Sequence, residues 1–189
     1  RTVGLAGYTN AGKSSLFLAL SGKEVLVEDK LFSTLETTVG RMEMSPRILL
    51  ADTIGFIDEL PSDLLDAFHA TLDESLKCDL LLLVVDCSDD ISEFKRKLST
   101  TRREVLDRGD ESGINLKVVL TKSDLGGDVD SAIDVVTSMG MQEPLVISSH
   151  NGEGLDDLRE AIMYSLYGPK TTLVVSESAP GQRSSESYV

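Results

Sequence analysis

The segment Gly7-Tyr8-Thr9-Asn10-Ala11-Gly12-Lys13-Ser14 decides the fold class of this chain. It has the spacing G-x-x-x-x-G-K-S, follows the apolar run 3–6 and precedes an amphipathic stretch. Its glycines let a backbone loop surround a phosphate without Cβ clashes, so that loop N–H groups and a helix N-terminus face the anionic oxygens. The motif therefore predicts a phosphate-binding loop that extends to Ser15. Lys13 would face the β- and γ-phosphates, and Ser14 would bind magnesium.

Short apolar runs alternate with longer amphipathic stretches along the rest of the chain. Continuous apolar runs, which are typical of parallel strands covered on both faces, occupy residues 3–6, 48–51, 80–85, 116–120 and 145–147. Amphipathic stretches that predict helices occupy residues 14–20, 64–76, 94–106, 129–139 and 155–166. A further strand over 40–44 would form a hairpin with 47–52. We predict an α/β P-loop NTPase fold: a mostly parallel six-stranded sheet with one antiparallel edge strand and helices on both faces.

The domain boundaries follow from the same pattern. Residues 1–168 contain all the predicted elements and are interpreted as one nucleotide-binding domain. Residues 169–189 become Ser-rich and polar without periodicity, so we expect a largely disordered tail. Because Arg1 leads directly into the first apolar run, we expect this sequence to be part of a longer protein with an upstream domain.

Composition restricts the classes of partner. The formal net charge of the 189 residues is -14, and an acidic surface repels phosphate backbones, which argues against DNA binding and against RNA binding by this chain alone. Cys78 and Cys87 lack metal-ligand spacing and do not make a disulfide framework. The longest apolar run, 80–85, is too short to span a bilayer. We expect a cytoplasmic monomer with reduced thiols and no membrane span.

A second motif, Asp52-Thr53-Ile54-Gly55, follows the apolar run 48–51. A carboxylate at a strand end can hold magnesium, and the N–H of Gly55 can donate to a γ-phosphate. The preceding loop, 29–39, should supply a threonine whose hydroxyl binds the same metal. Thr37 and Thr38 are the candidates.

The base-reading segment is Thr121-Lys122-Ser123-Asp124, after the run 116–120. Guanine offers two donors, N1–H and the exocyclic amine, to the Asp124 carboxylate, whereas adenine would present an acceptor there. The Lys122 stem can lie over the base plane. The usual form of this motif is N-K-x-D, and Thr121 replaces the asparagine, a variant that we expect to loosen nucleotide binding. A later loop, Ser148-Ser149-His150, resembles the S-A-K loop of GTPases, whose backbone N–H reaches the guanine carbonyl.

These motifs predict GTP and GDP as ligands, with Mg²⁺, and slow hydrolysis of GTP as a switch. One alternative is a GTP-regulated binding module with negligible hydrolysis. An ATPase or small-molecule kinase would need a different base-reading loop and an acceptor site, and neither is seen in the sequence. Another GTPase of the same superclass is also consistent with the shared motifs.

Together, these segments resemble the G domain of the HflX-type GTPases of the translation-factor-related class. The resemblance covers about residues 1–168 and is carried by residues 4–14, 30–35, 52–57, 60–61 and 67–72. It implies GTP hydrolysis, binding to the large ribosomal subunit, often to rescue or split ribosomes, and an N-terminal domain that contacts nucleotide and RNA. This chain departs from the family pattern at four positions, which are Glu36, Val39, His69 and Thr121.

The resemblance also implies roles for single residues. Related loops favour Thr38 over Thr37 as the magnesium and γ-phosphate ligand. An asparagine at the place of Asn10 coordinates potassium in related potassium-activated GTPases, so we expect potassium to stimulate hydrolysis through Asn10.

Hydrolysis itself requires a water in line with the γ-phosphate and neutralised charge. We assign catalytic roles to Lys13, Thr38 and Gly55. Many GTPases orient the water with a glutamine directly after D-x-x-G, but here that position holds Phe56, which has no hydrogen-bonding group. Loop backbone or a partner must therefore hold the water, and intrinsic turnover should be low. His69 and His150 receive no proton-transfer role.

Overall fold

The computed structural model describes residues 1–22, 25–26, 38–42, 46–52, 77–108, 115–171 and 187–188. Within these parts, seven strands form one sheet in the order β2-β3-β4-β1-β5-β6-β7. The strands are β1 Thr2–Gly7, β2 Val25–Leu26, β3 Thr38–Met42, β4 Ile48–Asp52, β5 Leu80–Asp86, β6 Leu116–Thr121 and β7 Leu145–Val146. The helices are α1 Lys13–Ser21, α2 Ile91–Arg108, α3 Val129–Ser138 and α4 Leu155–Tyr167, with a 3₁₀ turn at Ser123–Leu125.

The sheet confirms the predicted fold class, with seven strands among the described residues where the sequence predicted six. β4, β1, β5, β6 and β7 run parallel, while β3 is antiparallel to β4 and to β2. The two-residue β2 lies outside β3, so the antiparallel strand is second from the edge. It begins at Thr38, two residues before the predicted start, and its register pairs Thr38 with Asp52 and Met42 with Ile48. Residues 43 and 44 of the predicted strand lie outside the described residues. The helix predicted over 64–76 lies outside the described residues.

Burial follows the apolar pattern of the sequence. Every residue of β5 is buried, as its uninterrupted run of leucines and valines predicts for a central strand covered on both faces. Among the α2 residues whose burial is described, the buried side chains recur at helical spacing, and they are Phe94, Leu98, Thr101 and Val105. This helix begins three residues before the predicted start. Asp90 precedes it and accepts hydrogen bonds from the N–H groups of Ser92 and Glu93, at 3.1 and 3.2 Å.

The carboxyl ends of the strands meet at one edge of the sheet, where ligands of open α/β sheets bind. The register places Leu5 of β1 beside Asp52 of β4, and Asp86 of β5 beside Thr121 of β6. At the end of β1 only a glycine fits, since a Cβ on Gly7 would lie 2.2 Å from the Val84 carbonyl oxygen. The loop that follows β1 therefore begins in close contact with β5.

The C-terminal part of the chain contains a second, two-stranded sheet, in which Lys170–Thr171 pairs antiparallel with Ser187–Tyr188. Residues 172–186 and 189 of the predicted disordered tail lie outside the described residues. Among the helices that are described, none has the length and apolar content needed to cross a membrane.

Candidate functional site

The phosphate-loop motif forms a tight turn between β1 and α1. Asn10 and Gly12 both take left-handed backbone conformations, with φ of 62° and 85°. Asparagine and glycine tolerate this region better than other residues, which explains their places in the turn. The N–H of Ala11 donates to the Tyr8 carbonyl at 3.2 Å, and the Lys13 ammonium donates to the same oxygen at 3.1 Å. The loop therefore closes with the lysine ammonium against it.

Lys13 and Asp52 form an electrostatic pair at this edge of the sheet. Lys13 is 7% exposed, and burial lowers its pKa, although the nearby Asp52 carboxylate opposes that shift. Burial in turn raises the pKa of Asp52, against the hydrogen bond from Ser14 and the charge of Lys13. The structure thus brings together three side chains that the sequence assigned to phosphate and magnesium.

Ser14 and Asp52 present two adjacent oxygen ligands. The Ser14 hydroxyl donates to Asp52 Oδ2 at 3.0 Å, while Asp52 Oδ1 is buried and accepts no hydrogen bond from the described residues. Hydroxyl and carboxylate oxygens are the ligands that Mg²⁺ prefers, so this pair fits that ion. The backbone of Thr38 lies directly across the β3–β4 ladder from Asp52.

Thr121 connects the base-reading segment to the phosphate loop. The residue is 2% exposed, and its hydroxyl lies 2.7 Å from the Ala11 carbonyl oxygen and 3.1 Å from that of Val85. A Cβ on Gly12 would be 3.4 Å from the same hydroxyl. The residue that departs from the usual asparagine therefore lies beneath the phosphate loop and holds the two segments together.

Asp124 is fixed by the loop after β7. The Ser148 hydroxyl donates to Asp124 Oδ1 at 2.6 Å and accepts from the N–H groups of His150 and Asn151, at 3.2 and 3.3 Å. The hydrogen bond from Ser148 holds the pKa of Asp124 below its ordinary value. His150 Nδ1 lies 3.8 Å from Asp124 Oδ2, on a side chain that is 88% exposed, and the Ser149 hydroxyl is buried.

Asp86 is a residue of this region that sequence reasoning missed. Its Oδ2 lies 2.5 Å from the Lys122 ammonium, and its Oδ1 accepts from the N–H and hydroxyl of Ser88, at 2.9 and 2.6 Å. One signal was available, because a lone carboxylate directly follows the buried run 80–85, at the same sheet edge as the recognised motifs.

Of the other residues discussed from the sequence, some lie around the phosphate loop and the rest lie outside the described residues. Thr9 is half-buried, while Asn10 and Ser15 are exposed around the phosphate loop. Gly55, Phe56 and His69 lie outside the described residues, as does the side chain of Thr38.

Clefts away from these motifs lie at the opposite end of the sheet. The larger has a volume of about 460 Å³, and it is lined by Lys117, Asp157, Glu160, Ala161, Tyr164, Gly168 and Pro169. It shares none of the residues that the motifs assign to nucleotide.

Comparisons with known proteins agree with the geometry. Two similar proteins are named GTPase HflX. The one from Gluconacetobacter diazotrophicus is 42% identical, and the match covers 85% of this chain and 35% of the relative. The one from Caldanaerobacter subterraneus subsp. tengcongensis is 40% identical, and the match covers 97% of this chain and 40% of the relative. A GTP-binding protein from the archaeon Sulfolobus solfataricus, solved in complex with GDP, is 29% identical with a TM-score of 0.71, over 87% of this chain and 52% of that one.

The chain therefore spans 35–40% of the length of these two curated relatives. The matches confirm the resemblance to HflX-type GTPases that the motifs indicated. In addition, residues 2–122 match the family described as 50S ribosome-binding GTPase, a range that contains the phosphate loop and reaches Lys122. The chain belongs to this family of GTPases.

Proposed function

We propose that residues 1–168 bind GTP and GDP and hydrolyse GTP to GDP and phosphate as a slow switch. The observation that carries this proposal is the contact between the Thr121 hydroxyl and the Ala11 carbonyl, at 2.7 Å. It joins the phosphate loop to the base-reading segment, so one nucleotide can contact both.

Magnesium fits the phosphate side of this site. Ser14 and Asp52 would hold the ion, with Thr38 as a further ligand, and the bound ion would neutralise charge on the phosphate oxygens. Lys13 would place a second positive charge against the β- and γ-phosphates. Its burial strengthens that interaction, because the surrounding dielectric is low.

The base-reading segment around Asp124 would select guanine. The Asp124 carboxylate, whose pKa the Ser148 hydrogen bond holds below an ordinary value that is already far under neutral pH, would accept from the two guanine donors. An adenine base would leave that carboxylate facing an acceptor. The loop 148–150, held to Asp124 through Ser148, would offer a backbone N–H to the guanine carbonyl.

Hydrolysis should be slow without a partner. The N–H of Gly55 would contact the γ-phosphate, but Phe56 follows it and offers no group to orient water. Asn10 is exposed in a left-handed conformation on the phosphate loop, which supports a role as a ligand for K⁺ beside the phosphates. A potassium ion there would add positive charge where the transition state develops negative charge.

The partner that we propose, for a longer protein that would contain these residues, is the large ribosomal subunit. The family description supports it, and the acidic charge of this chain suggests that RNA contacts come mainly from elsewhere. We further propose that the protein is cytoplasmic and monomeric.

The first test is GTP turnover by the 189-residue chain in potassium buffer and in sodium buffer, with and without purified large ribosomal subunits. Lys13→Ala serves as the control that should lose phosphate binding. We expect intrinsic turnover on the order of 10⁻³ per second or slower. We also expect faster turnover in potassium and stimulation by the subunits.

The possible outcomes separate the alternatives. Turnover of many per second without a partner would contradict the slow switch, and equal rates in the two salts would contradict the role of Asn10. GTP binding without hydrolysis in a single turnover would favour a GTP-regulated binding module. Competition by ADP equal to that by GDP would point to an ATPase or kinase. Intact turnover without ribosomal stimulation would place ribosome recognition outside this chain.

A further inference from the structure

Asp86 ends β5 with both carboxylate oxygens engaged. Its side chain is 9% exposed. Oδ1 accepts two hydrogen bonds from Ser88, and Oδ2 lies 2.5 Å from the Lys122 ammonium. A buried carboxylate held from both sides has a single orientation, so it can fix the position of the ammonium that it binds.

Lys122 is constrained at both its backbone and its side chain. Its backbone has φ of 62°, a left-handed conformation that non-glycine residues adopt only when their surroundings enforce it. Two backbone hydrogen bonds hold the turn, from the Ser123 N–H to the Ile147 carbonyl and from the Leu125 N–H to the Lys122 carbonyl. These bonds fix the backbone, and the ion pair with Asp86 fixes the end of the side chain.

Two carboxylates, Asp86 and Asp124, lie near the segment that contains Lys122, so the position of its ammonium decides which of them it neutralises. Asp86 and Asp124 both help to raise the pKa of the Cys87 thiol, to about 11, after burial as the main cause, so the two carboxylates act on one neighbourhood. Lys122 is two residues from Asp124 in sequence. Asp124 is the carboxylate of the base-reading segment itself, so an ammonium that left Asp86 and paired with Asp124 would compete there with a base.

We propose that Asp86 is a positioning residue for guanine-nucleotide binding. It holds the Lys122 ammonium at the end of β5, so that the Lys122 stem forms one wall of the base site and the Asp124 carboxylate stays available for the two guanine donors. This inference rests on the proposed function, and it adds a residue that acts through Lys122 and not on the nucleotide itself.

The test is a double-mutant cycle on GDP affinity, with the variants Asp86→Asn, Lys122→Met and the two combined. Methionine keeps an unbranched stem and removes the ammonium. Tripolyphosphate serves as a second probe, since it occupies the phosphate loop without a base. The matched control is Asp134→Asn, which removes one negative charge from the exposed face of α3.

We expect D86N to weaken GDP binding roughly tenfold and to leave its tripolyphosphate affinity within about twofold of wild type. The control D134N should bind GDP within about twofold of wild type. The double variant should bind GDP no more weakly than K122M alone, because Asp86 acts through the lysine. Three results would each overturn the positioning role. They are a GDP affinity of the double variant that falls by the product of the two single losses, a loss of tripolyphosphate binding equal to that of GDP, and an unchanged GDP affinity of D86N.

A second variant keeps the proposal testable if D86N fails to fold. Ser88→Ala retains both charges and removes only the hydroxyl donor to Asp86, so we expect roughly threefold weaker GDP binding that disappears in a Lys122→Met background. An S88A effect that persists there would overturn the proposal. Failure of the wild-type chain to bind GDP would instead overturn the proposed function, which distinguishes the two results.

Discussion

Thr121 shows how one side chain links two halves of the site. The sequence interpretation expected this departure from asparagine to loosen nucleotide binding. In the structure its hydroxyl reaches the Ala11 carbonyl of the phosphate loop, 110 residues earlier in the chain, and also lies near the Val85 carbonyl. A shorter side chain therefore still spans the gap, because the Thr121 backbone at the end of β6 stands close beneath the loop.

Replacing Thr121 with valine tests this link at nearly constant shape. The variant loses the hydrogen bond to Ala11, so we expect the free energy of unfolding to fall by about 1–3 kcal/mol. We also expect roughly tenfold weaker GDP binding. Urea unfolding and GDP titration measure the two effects. Thr121→Ser, which keeps the hydroxyl, is the control, and wild-type GDP affinity in T121V would show that the link does not support the nucleotide.

At the scale of elements, neighbouring segments hold the loops of this edge. The guanidinium of Arg96 on α2 lies 5.3 Å from the Tyr8 ring centroid and donates to the Tyr8 hydroxyl at 3.3 Å, which braces the phosphate loop against that helix. On the base side, a Cβ on Gly127 would lie 1.8 Å from the Cys87 carbonyl oxygen, so the loop after the 3₁₀ turn packs directly on the segment after β5.

Adding one methyl group should separate those two segments. Gly127→Ala forces them apart, so we expect the free energy of unfolding to fall by at least about 3 kcal/mol. Gly126→Ala is the adjacent control. A Cβ there meets nothing within 4 Å, and only its left-handed φ of 79° is unfavourable, at about 1–2 kcal/mol. Thermal and urea unfolding compare the variants, and equal losses would contradict the close packing at Gly127.

At the scale of the whole molecule, the chain carries a net charge of -14, yet particular carboxylates stabilise the fold. Asp79 ties the start of β1 to the start of β5, since its oxygens accept from the Arg1 guanidinium at 2.5 Å and from the Thr2 N–H at 2.7 Å. Partial burial raises the pKa of Asp79, but the hydrogen bonds from Thr2 and Arg1 outweigh it, and the pKa is lower than its ordinary value.

A lowered pKa in the folded state predicts a particular pH dependence. The contribution of Asp79 to stability is complete above the unfolded pKa, about 3.9, and is lost as pH falls through the lower folded value. Asp79→Asn should therefore be less stable than wild type at pH 7, by under about 1 kcal/mol because the pair is largely solvated. The difference should shrink below about pH 4.

Urea unfolding at several pH values measures that difference. Repeating the series at high salt separates the Arg1 ion pair, which salt screens, from the hydrogen bond of Thr2. A difference between D79N and wild type that grows as the pH falls below 4 would contradict the assigned sign.

The sequence alone determined the fold class and predicted most residues of the candidate site. Contiguous patterns encode these features: apolar runs of strand length, helical spacing in the longer stretches, and the motifs at residues 7–14, 52–55 and 121–124. Element bounds were less well determined. The start of α2 depends on the Asp90 cap, and the place of β3 depends on its register with β4.

Tertiary structure alone decided which distant side chains meet. Strand order and register bring Asp86 to Lys122, 36 residues later in the chain, because β5 and β6 are neighbours and end at one level. The contact of Thr121 with Ala11 depends on the same arrangement. No local pattern records a pairing of that kind. The shifted pKa values of Lys13 and Asp52 arise in the same way, since burial at the edge of the sheet is a property of the folded chain and not of the motifs.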